Sequence, residues 1–185
     1  LRWVYRNPAR QAVLPSTDGA PVTEKLRDAV SRAGIFSSAL VADGAVYFAD
    51  VGGWIYCLDA STGAERWKVD ARAPTFPDAH WNNLFMASPV MAGGKVVFGG
   101  GTLEQMFAGT ASYPGSTGRG FLVALDPKTG KLVWKYDVGR KPEKFDPPIV
   151  VEGSWGANKF EYGPATSSVW STPSYDPDSN TLFFG

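Results

Sequence analysis

The sequence has one cysteine, one histidine and no long apolar run, and each scarcity narrows the classes of protein that it can represent. A single cysteine, Cys57, excludes a disulfide within the chain, and its place in an alternating apolar stretch predicts a buried thiol. His80 has no second histidine to share a metal or a catalytic role, so we interpret it as a solvent-facing loop residue. No apolar run reaches the roughly 18 residues of a membrane-spanning helix, so no membrane span is predicted.

The chain also lacks a net charge, because 18 basic side chains balance 18 acidic ones. No basic field is available to attract nucleic acid or an anionic membrane. No signal peptide is visible, the chain begins without Met, and it stops inside the strand pattern 181–185. We therefore expect it to be a piece of a longer protein.

What the sequence does contain is a repeat. Residues 57–67 and 124–134 both read small-Leu-Asp-x-x-Thr-Gly-x-x-x-Trp, and residues 2–5 resemble the tryptophan end of that pattern. Self-similarity at a long period is typical of repeat architectures. The Asp and Gly of the motif favour a tight turn, and the Trp can cover an apolar gap between neighbouring units. We therefore interpret these motif residues as structural.

Around each motif the pattern predicts four short strands joined by turns, which is one blade of a β-propeller. In the first repeat the strands are expected at 37–41, 45–49, 54–58 and 65–70. The fold class is thus predicted as all-β, a propeller of four-stranded antiparallel blades with Trp-docking repeats. Residues 1–36 are expected to hold the end of a preceding blade and a helical connection, with the helix at 23–33. Two blades are expected at 37–70 and 87–138, the second with an insertion at 99–120. A long rim loop is expected at 139–168, and the next blade is expected to start at 169–185, with its first strand at 169–173.

In an up-and-down blade, the approach to the first strand and the loop after the second strand share one face. Three unusual segments are expected on that face: 34–38, 99–120 and 139–170. Extended loops gathered at one rim are where a propeller builds a site. The sequence therefore predicts the functional site at this rim.

Residues 37–185 resemble the quinoprotein alcohol dehydrogenases, which carry pyrroloquinoline quinone (PQQ) and calcium on an eight-bladed propeller. Two segments beyond the repeat carry the resemblance. Residues 99–104 match a Gly-rich segment that ends in a calcium-ligating Glu, which implies Glu104 as the metal ligand. Residues 168–177 match the segment whose Trp forms the floor under the quinone, which implies Trp170 in that role. By this match about two complete blades of the eight are present.

The sequence also departs from that family. It lacks paired cysteines, Ser37 stands where the family has an Arg, and Met86 stands where it has a Thr. Ser37, Ser88 and Thr102 could supply hydrogen bonds to the quinone carboxylates. The departures fit a divergent branch closer to the polyvinyl-alcohol dehydrogenase type, or a propeller that has lost PQQ. The family's Asn ligand and its general base are expected beyond residue 185.

Two functions are consistent with the residues. The first is PQQ- and calcium-dependent oxidation of a small or polymeric alcohol by the full-length protein, with a cytochrome c as electron acceptor and a periplasmic or secreted location. The second is a non-catalytic scaffold of the outer-membrane-assembly lipoprotein type, whose propellers share these repeats. The long, dissimilar rim loops favour the enzyme.

Overall fold

The computed structural model describes residues 2–6, 34–51, 53–71, 83–102, 120–138 and 169–185, and within these ranges every regular element is a β-strand. No helix there is long and apolar enough to cross a membrane. The predicted helix at 23–33, the loop at 139–168, His80 and Glu104 lie outside the described residues.

The first sheet is a four-stranded antiparallel blade whose strands pair in sequence order. Its strands are β1 (Leu40–Ala42), β2 (Ala45–Ala49), β3 (Trp54–Asp59) and β4 (Glu65–Asp70). Asp43 and Gly44 join β1 to β2 with φ of 48° and 68°. Two positive φ angles are the geometry of the hairpin turn that this dipeptide predicts. The four strands lie where the sequence predicts them, although β1 begins three residues later than expected.

The second sheet has five strands, one more than predicted. They are β5 (Asn83–Leu84), β6 (Val90–Ala92), β7 (Lys95–Thr102), β8 (Gly120–Leu125) and β9 (Leu132–Val138). Both β5 and β6 pair with β7, β5 at its carboxyl end and β6 at its amino end. Because β7 continues to Thr102, the predicted insertion at 99–120 is wrong at its start: residues 99–102 belong to the sheet.

A third antiparallel pair consists of β10 (Ser174–Asp176) and β11 (Thr181–Phe183). The strand predicted at 169–173 is displaced, and β10 begins only after Pro173. Proline has no N–H for a strand ladder, which explains why regular pairing starts beyond it.

The repeated Asp-x-x-Thr-Gly motif forms the same turn in both full blades. Asp59 Oδ1 accepts N–H bonds from Ser61 and Thr62, each at 3.0 Å. Asp126 Oδ1 does the same for Lys128 at 3.0 Å and Thr129 at 2.8 Å. Hydrogen bonds to the charged carboxylate stabilise it, so the pKa of each Asp is lowered. The predicted structural role of these acids is confirmed.

Two of the three motif tryptophans, Trp3 and Trp67, each dock on the motif turn of the following blade. Trp3 Nε1 donates to the carbonyl of Ala60 at 3.0 Å, and Trp67 Nε1 donates to that of Pro127 at 2.9 Å. Each indole lies against the glycine of the turn: a Cβ on Gly63 would be 2.6 Å from the Trp3 ring, and one on Gly130 would be 2.8 Å from the Trp67 ring. Trp, Asp and Gly therefore form one docking unit shared by two blades.

The main core lies between the first two blades. Its members come from β2 and β3 on one side and from β7 and β8 on the other, and they include Tyr47, Ile55, Phe98 and Phe121. Cys57 is fully buried in this layer, as predicted, and burial raises the pKa of its thiol. A separate cluster packs Val169 against the opposite face of the second blade. The blades thus stack face to face in chain order.

Candidate functional site

The three blades begin with equivalent segments, which we call the lead-in segments: residues 35–39, 85–89 and 169–173. Strand register defines the equivalence. Leu40 pairs with Tyr47, Val90 pairs with Val97 and Ser174 pairs with Phe183, at the same step from each hairpin turn. Together with the ends of β2 and β7, these segments form the lead-in rim, where the sequence predicts the site.

The second position of each lead-in segment carries a large apolar side chain that is at least partly exposed. These side chains are Phe36, Met86 and Trp170. Phe36 is 62% exposed and Trp170 is 42% exposed. The predicted floor residue Trp170 thus presents part of its indole to solvent, as a stacking residue requires. The equivalent Phe36 was missed by the sequence reasoning, and the alignment of the three segments is the signal that finds it.

Each following lead-in segment is bonded to the end of the second strand in the blade before it. Phe85 N donates to the carbonyl of Asp50 at 3.4 Å, and Val169 N donates to that of Gly100 at 3.3 Å. The same contact therefore repeats around the rim. It fixes the start of one blade against the preceding one.

The predicted Gly-rich segment has a steric role at this contact. A Cβ on Gly99 would lie 2.4 Å from Cγ1 of Val169 and 2.8 Å from its Cβ. Any side chain at Gly99 would therefore displace the third lead-in segment. The residue after Val169 is Trp170, so the glycine holds the candidate floor residue beside the carboxyl end of β7.

Two predicted hydroxyl ligands, Ser37 and Ser88, lie on lead-in segments that are joined by a hydrogen bond. Ser88 Oγ accepts the backbone N–H of Ser38 at 2.9 Å. Ser37, the residue before Ser38, has a buried hydroxyl oxygen with no hydrogen-bond partner among the described residues. A buried polar atom without a partner costs about 1–3 kcal/mol. The Ser37 hydroxyl is therefore suited to donate its proton to an acceptor atom of a ligand.

Thr102 and Glu104 are the remaining predicted ligands. Thr102 is the last residue of β7, and its backbone pairs with Asn83. Glu104 follows two residues later and lies outside the described residues. In the described part of the chain no three His, Cys, Asp or Glu side chains cluster as a metal site. The roles of all five predicted site residues remain predictions.

Two described groups on the lead-in rim have the chemistry that a flat, carboxylate-bearing ring requires. A partly exposed indole and a buried hydroxyl without a partner match the face and the acceptor oxygens of such a ligand. The described rim therefore fits the quinone. The calcium assignment depends on Glu104 and on the resemblance alone.

One buried acid at the rim was not identified from the sequence. Asp50 is fully buried directly after β2. Its Oδ1 accepts the Trp54 N–H at 2.9 Å, and its Oδ2 accepts the Tyr56 hydroxyl proton at 3.0 Å. Burial first, and the Asp50 charge second, raise the pKa of Tyr56, so the phenol stays a neutral donor. In the sequence, only the two glycines after Val51 indicate an unusual turn at this position.

Comparison with known proteins identifies the family. The family model described as outer membrane protein assembly factor BamB (PQQ_2) matches residues 11–107, just over half of the chain. The chain belongs to the PQQ_2 family. Within curated proteins, this PQQ_2 chain is similar to the quinohemoprotein alcohol dehydrogenase ADH-IIG of Pseudomonas putida, with 30% identity over 98% of the chain and 24% of the relative. It is also similar to a polyvinylalcohol dehydrogenase of Pseudomonas sp, with 30% identity over 75% of the chain and 20% of the relative.

Solved structures agree with this relationship. The solved structure of quinohemoprotein alcohol dehydrogenase ADHIIG from Pseudomonas putida HK5 superimposes with a TM-score of 0.55 at 28% identity, covering 80% of this chain and 20% of that one. The predicted similarity to quinoprotein alcohol dehydrogenases is thus confirmed. The chain spans about a quarter or less of the length of the relatives just described.

Proposed function

We propose that this chain is part of a PQQ- and calcium-dependent dehydrogenase that oxidises an alcohol, and that its blades belong to an eight-bladed propeller. Similarity to an alcohol dehydrogenase over 98% of the chain supports the assignment. The structural observation that carries it is the half-exposed Trp170, held at the end of a Gly-rich strand by the Val169–Gly100 hydrogen bond.

In this proposal the rim residues bind and orient the cofactor. Trp170 offers a rigid face for the ring, and Ser37 donates its free hydroxyl proton to a quinone carboxylate. Ser88 can donate as well, because its hydroxyl uses only a lone pair to accept the Ser38 N–H. Thr102 is a further donor at the end of β7.

Glu104 is the proposed calcium ligand, since a carboxylate oxygen is a suitable hard ligand for that ion. When bound, PQQ with calcium supplies the electron-accepting chemistry for an alcohol. The general base and most of the substrate pocket are proposed to lie outside residues 1–185.

Replacing the family's Arg and Thr by Ser37 and Met86 changes how the ring is held. A serine hydroxyl makes a neutral hydrogen bond where a guanidinium makes a charged, two-pronged one. We therefore propose weaker carboxylate binding, offset by apolar contact from Met86. This combination fits a divergent branch of the family.

The partners follow from the same proposal. Electrons pass to a cytochrome c, the substrate is a small or polymeric alcohol, and the protein works in the periplasm or outside the cell. Similarity to a polyvinylalcohol dehydrogenase supports the polymeric alternative.

The test is a PQQ titration of the full-length protein with and without calcium. Trp170→Ala should weaken PQQ binding by about tenfold or more, since stacking and area are lost. Glu104→Ala should abolish the calcium dependence. Two matched controls should leave PQQ binding unchanged. Val41→Ala removes an exposed apolar side chain on β1, and Glu65→Ala removes an exposed carboxylate.

A scaffold function is the second candidate, because the matching family model is described as an outer membrane protein assembly factor. A scaffold has no physical need for a buried hydroxyl without a partner and an exposed indole on its lead-in rim. Full-length protein that takes up no PQQ at any calcium concentration would favour the scaffold and remove the enzyme proposal.

A further inference from the structure

Asp50 is a buried charged residue that the proposed cofactor site does not use. Its carboxylate bonds the Trp54 N–H and the Tyr56 hydroxyl, and its own N–H donates to the Trp54 carbonyl at 2.9 Å. Its carbonyl accepts from Gly53 N at 3.2 Å and from Phe85 N at 3.4 Å. One residue therefore closes the turn between β2 and β3 and also contacts the second lead-in segment.

The equivalent residue in the second blade achieves the same contact differently. Gly100 accepts the Val169 N–H while it is itself inside the ladder, paired with Phe121. In the first blade the ladder ends one residue earlier, at the pair Ala49 and Ile55. Asp50 thus lies beyond the regular strand. The hydrogen bonds of its side chain fix its backbone, as the strand ladder fixes the backbone of Gly100.

The second lead-in segment is tied to the first blade at two points. Phe85 N bonds the Asp50 carbonyl, and Ser88 Oγ bonds the Ser38 N–H. Met86 lies between these two points, at the position equivalent to Trp170. Whatever aims the Asp50 carbonyl therefore also sets where Met86 and Ser88 stand on the rim.

We infer that Asp50 is a positioning residue: by bonding Trp54 and Tyr56, its carboxylate aims its own carbonyl at Phe85 and so places Ser88 and Met86 for ligand binding at the rim. This inference rests on the proposed function, since the ligand in question is PQQ. In this inference Asp50 acts through the second lead-in segment.

The test compares PQQ affinity with stability in the full-length protein. Asp50→Ala should weaken PQQ binding by about tenfold, the size expected from losing one well-placed hydrogen bond. Asp50→Asn keeps an acceptor oxygen for the Trp54 N–H and should fall between the wild type and the Ala variant. Leu58→Ala, a buried change at the far end of β3, should lower the Tm while PQQ affinity stays constant.

Amide hydrogen exchange at Phe85 gives a second measurement that does not need the cofactor. Faster exchange at Phe85 in Asp50→Ala than in Leu58→Ala supports positioning, and equal exchange overturns it. If the wild type binds PQQ and both Asp50 variants bind as tightly, the inference fails while the proposed function stands. If the wild type binds no PQQ, the proposed function fails, and the exchange at Phe85 still decides the positioning of the segment.

Discussion

The two ends of the blades differ in how closely they repeat. At the docking turns, Trp3 and Trp67 make the same hydrogen bond within 0.1 Å of each other, at 3.0 and 2.9 Å, to turns built by the same acid, threonine and glycine. At the lead-in rim, equivalent positions hold Asp50 and Gly100, or Phe36 and Trp170. Stacking requires one geometry in every blade, so the docking end repeats. The rim is free to vary, and a site can be built there.

The largest expected effect is at the docking end. Gly130→Ala should lower the free energy of unfolding by about 2–4 kcal/mol, because the new Cβ meets the Trp67 ring and the residue has φ of +71°. Gly94→Ala isolates the backbone part, since Gly94 has φ of +72° and open space around it; it should cost only about 1 kcal/mol. Urea unfolding of the full-length protein measures both, and equal losses would contradict the docking argument.

A somewhat smaller loss is expected at the rim. Gly99→Ala should cost about 1–3 kcal/mol by overpacking against Val169. Adding Val169→Ala removes Cγ1, the atom in the shortest of these contacts at 2.4 Å, while the Cβ at 2.8 Å remains. The double variant should therefore lose less than the sum of the two single changes. Strict additivity in this cycle would show that Gly99 does not hold the third lead-in segment.

The smallest expected effect concerns the exposed turn acid. Hydrogen bonds from Ser61 and Arg66 lower the folded pKa of Asp59. A carboxyl with a depressed folded pKa contributes stability above its unfolded pKa of about 3.9, and this stability is lost as the pH falls below that value. Asp59→Asn should therefore flatten the acid side of the stability curve below about pH 4. If the stability of the variant changed with pH in parallel with that of the wild type, the charge of Asp59 would not stabilise the docking turn.

The sequence predicts the local features of this fold well, for physical reasons. The Asp43–Gly44 hairpin, the Asp59 turn and the bounds of β4 depend on short-range preferences, and all are found as expected. The extension of β7 through Gly99 was not predictable, because glycine is a poor strand former by itself. It is tolerated here because Val169, distant in sequence, occupies the space of the missing side chain.

Only part of the candidate site could be predicted from the sequence, for the same reason. Trp170 and Ser37 could be selected from the sequence by resemblance. The role of Asp50 could not, because an acid next to a Gly-rich turn normally indicates a solvated loop. Its burial depends on Tyr56 and Phe85, and only the folded chain brings these residues together.

The docking direction has a consequence for how the protein is made. In both observed pairs the indole precedes its partner turn by about 60 residues, Trp3 before Ala60 and Trp67 before Pro127. At synthesis rates of about 5–20 residues per second, a ribosome leaves each indole waiting several seconds for its turn to emerge. A blade that has just been made therefore carries an undocked tryptophan until translation delivers the next turn.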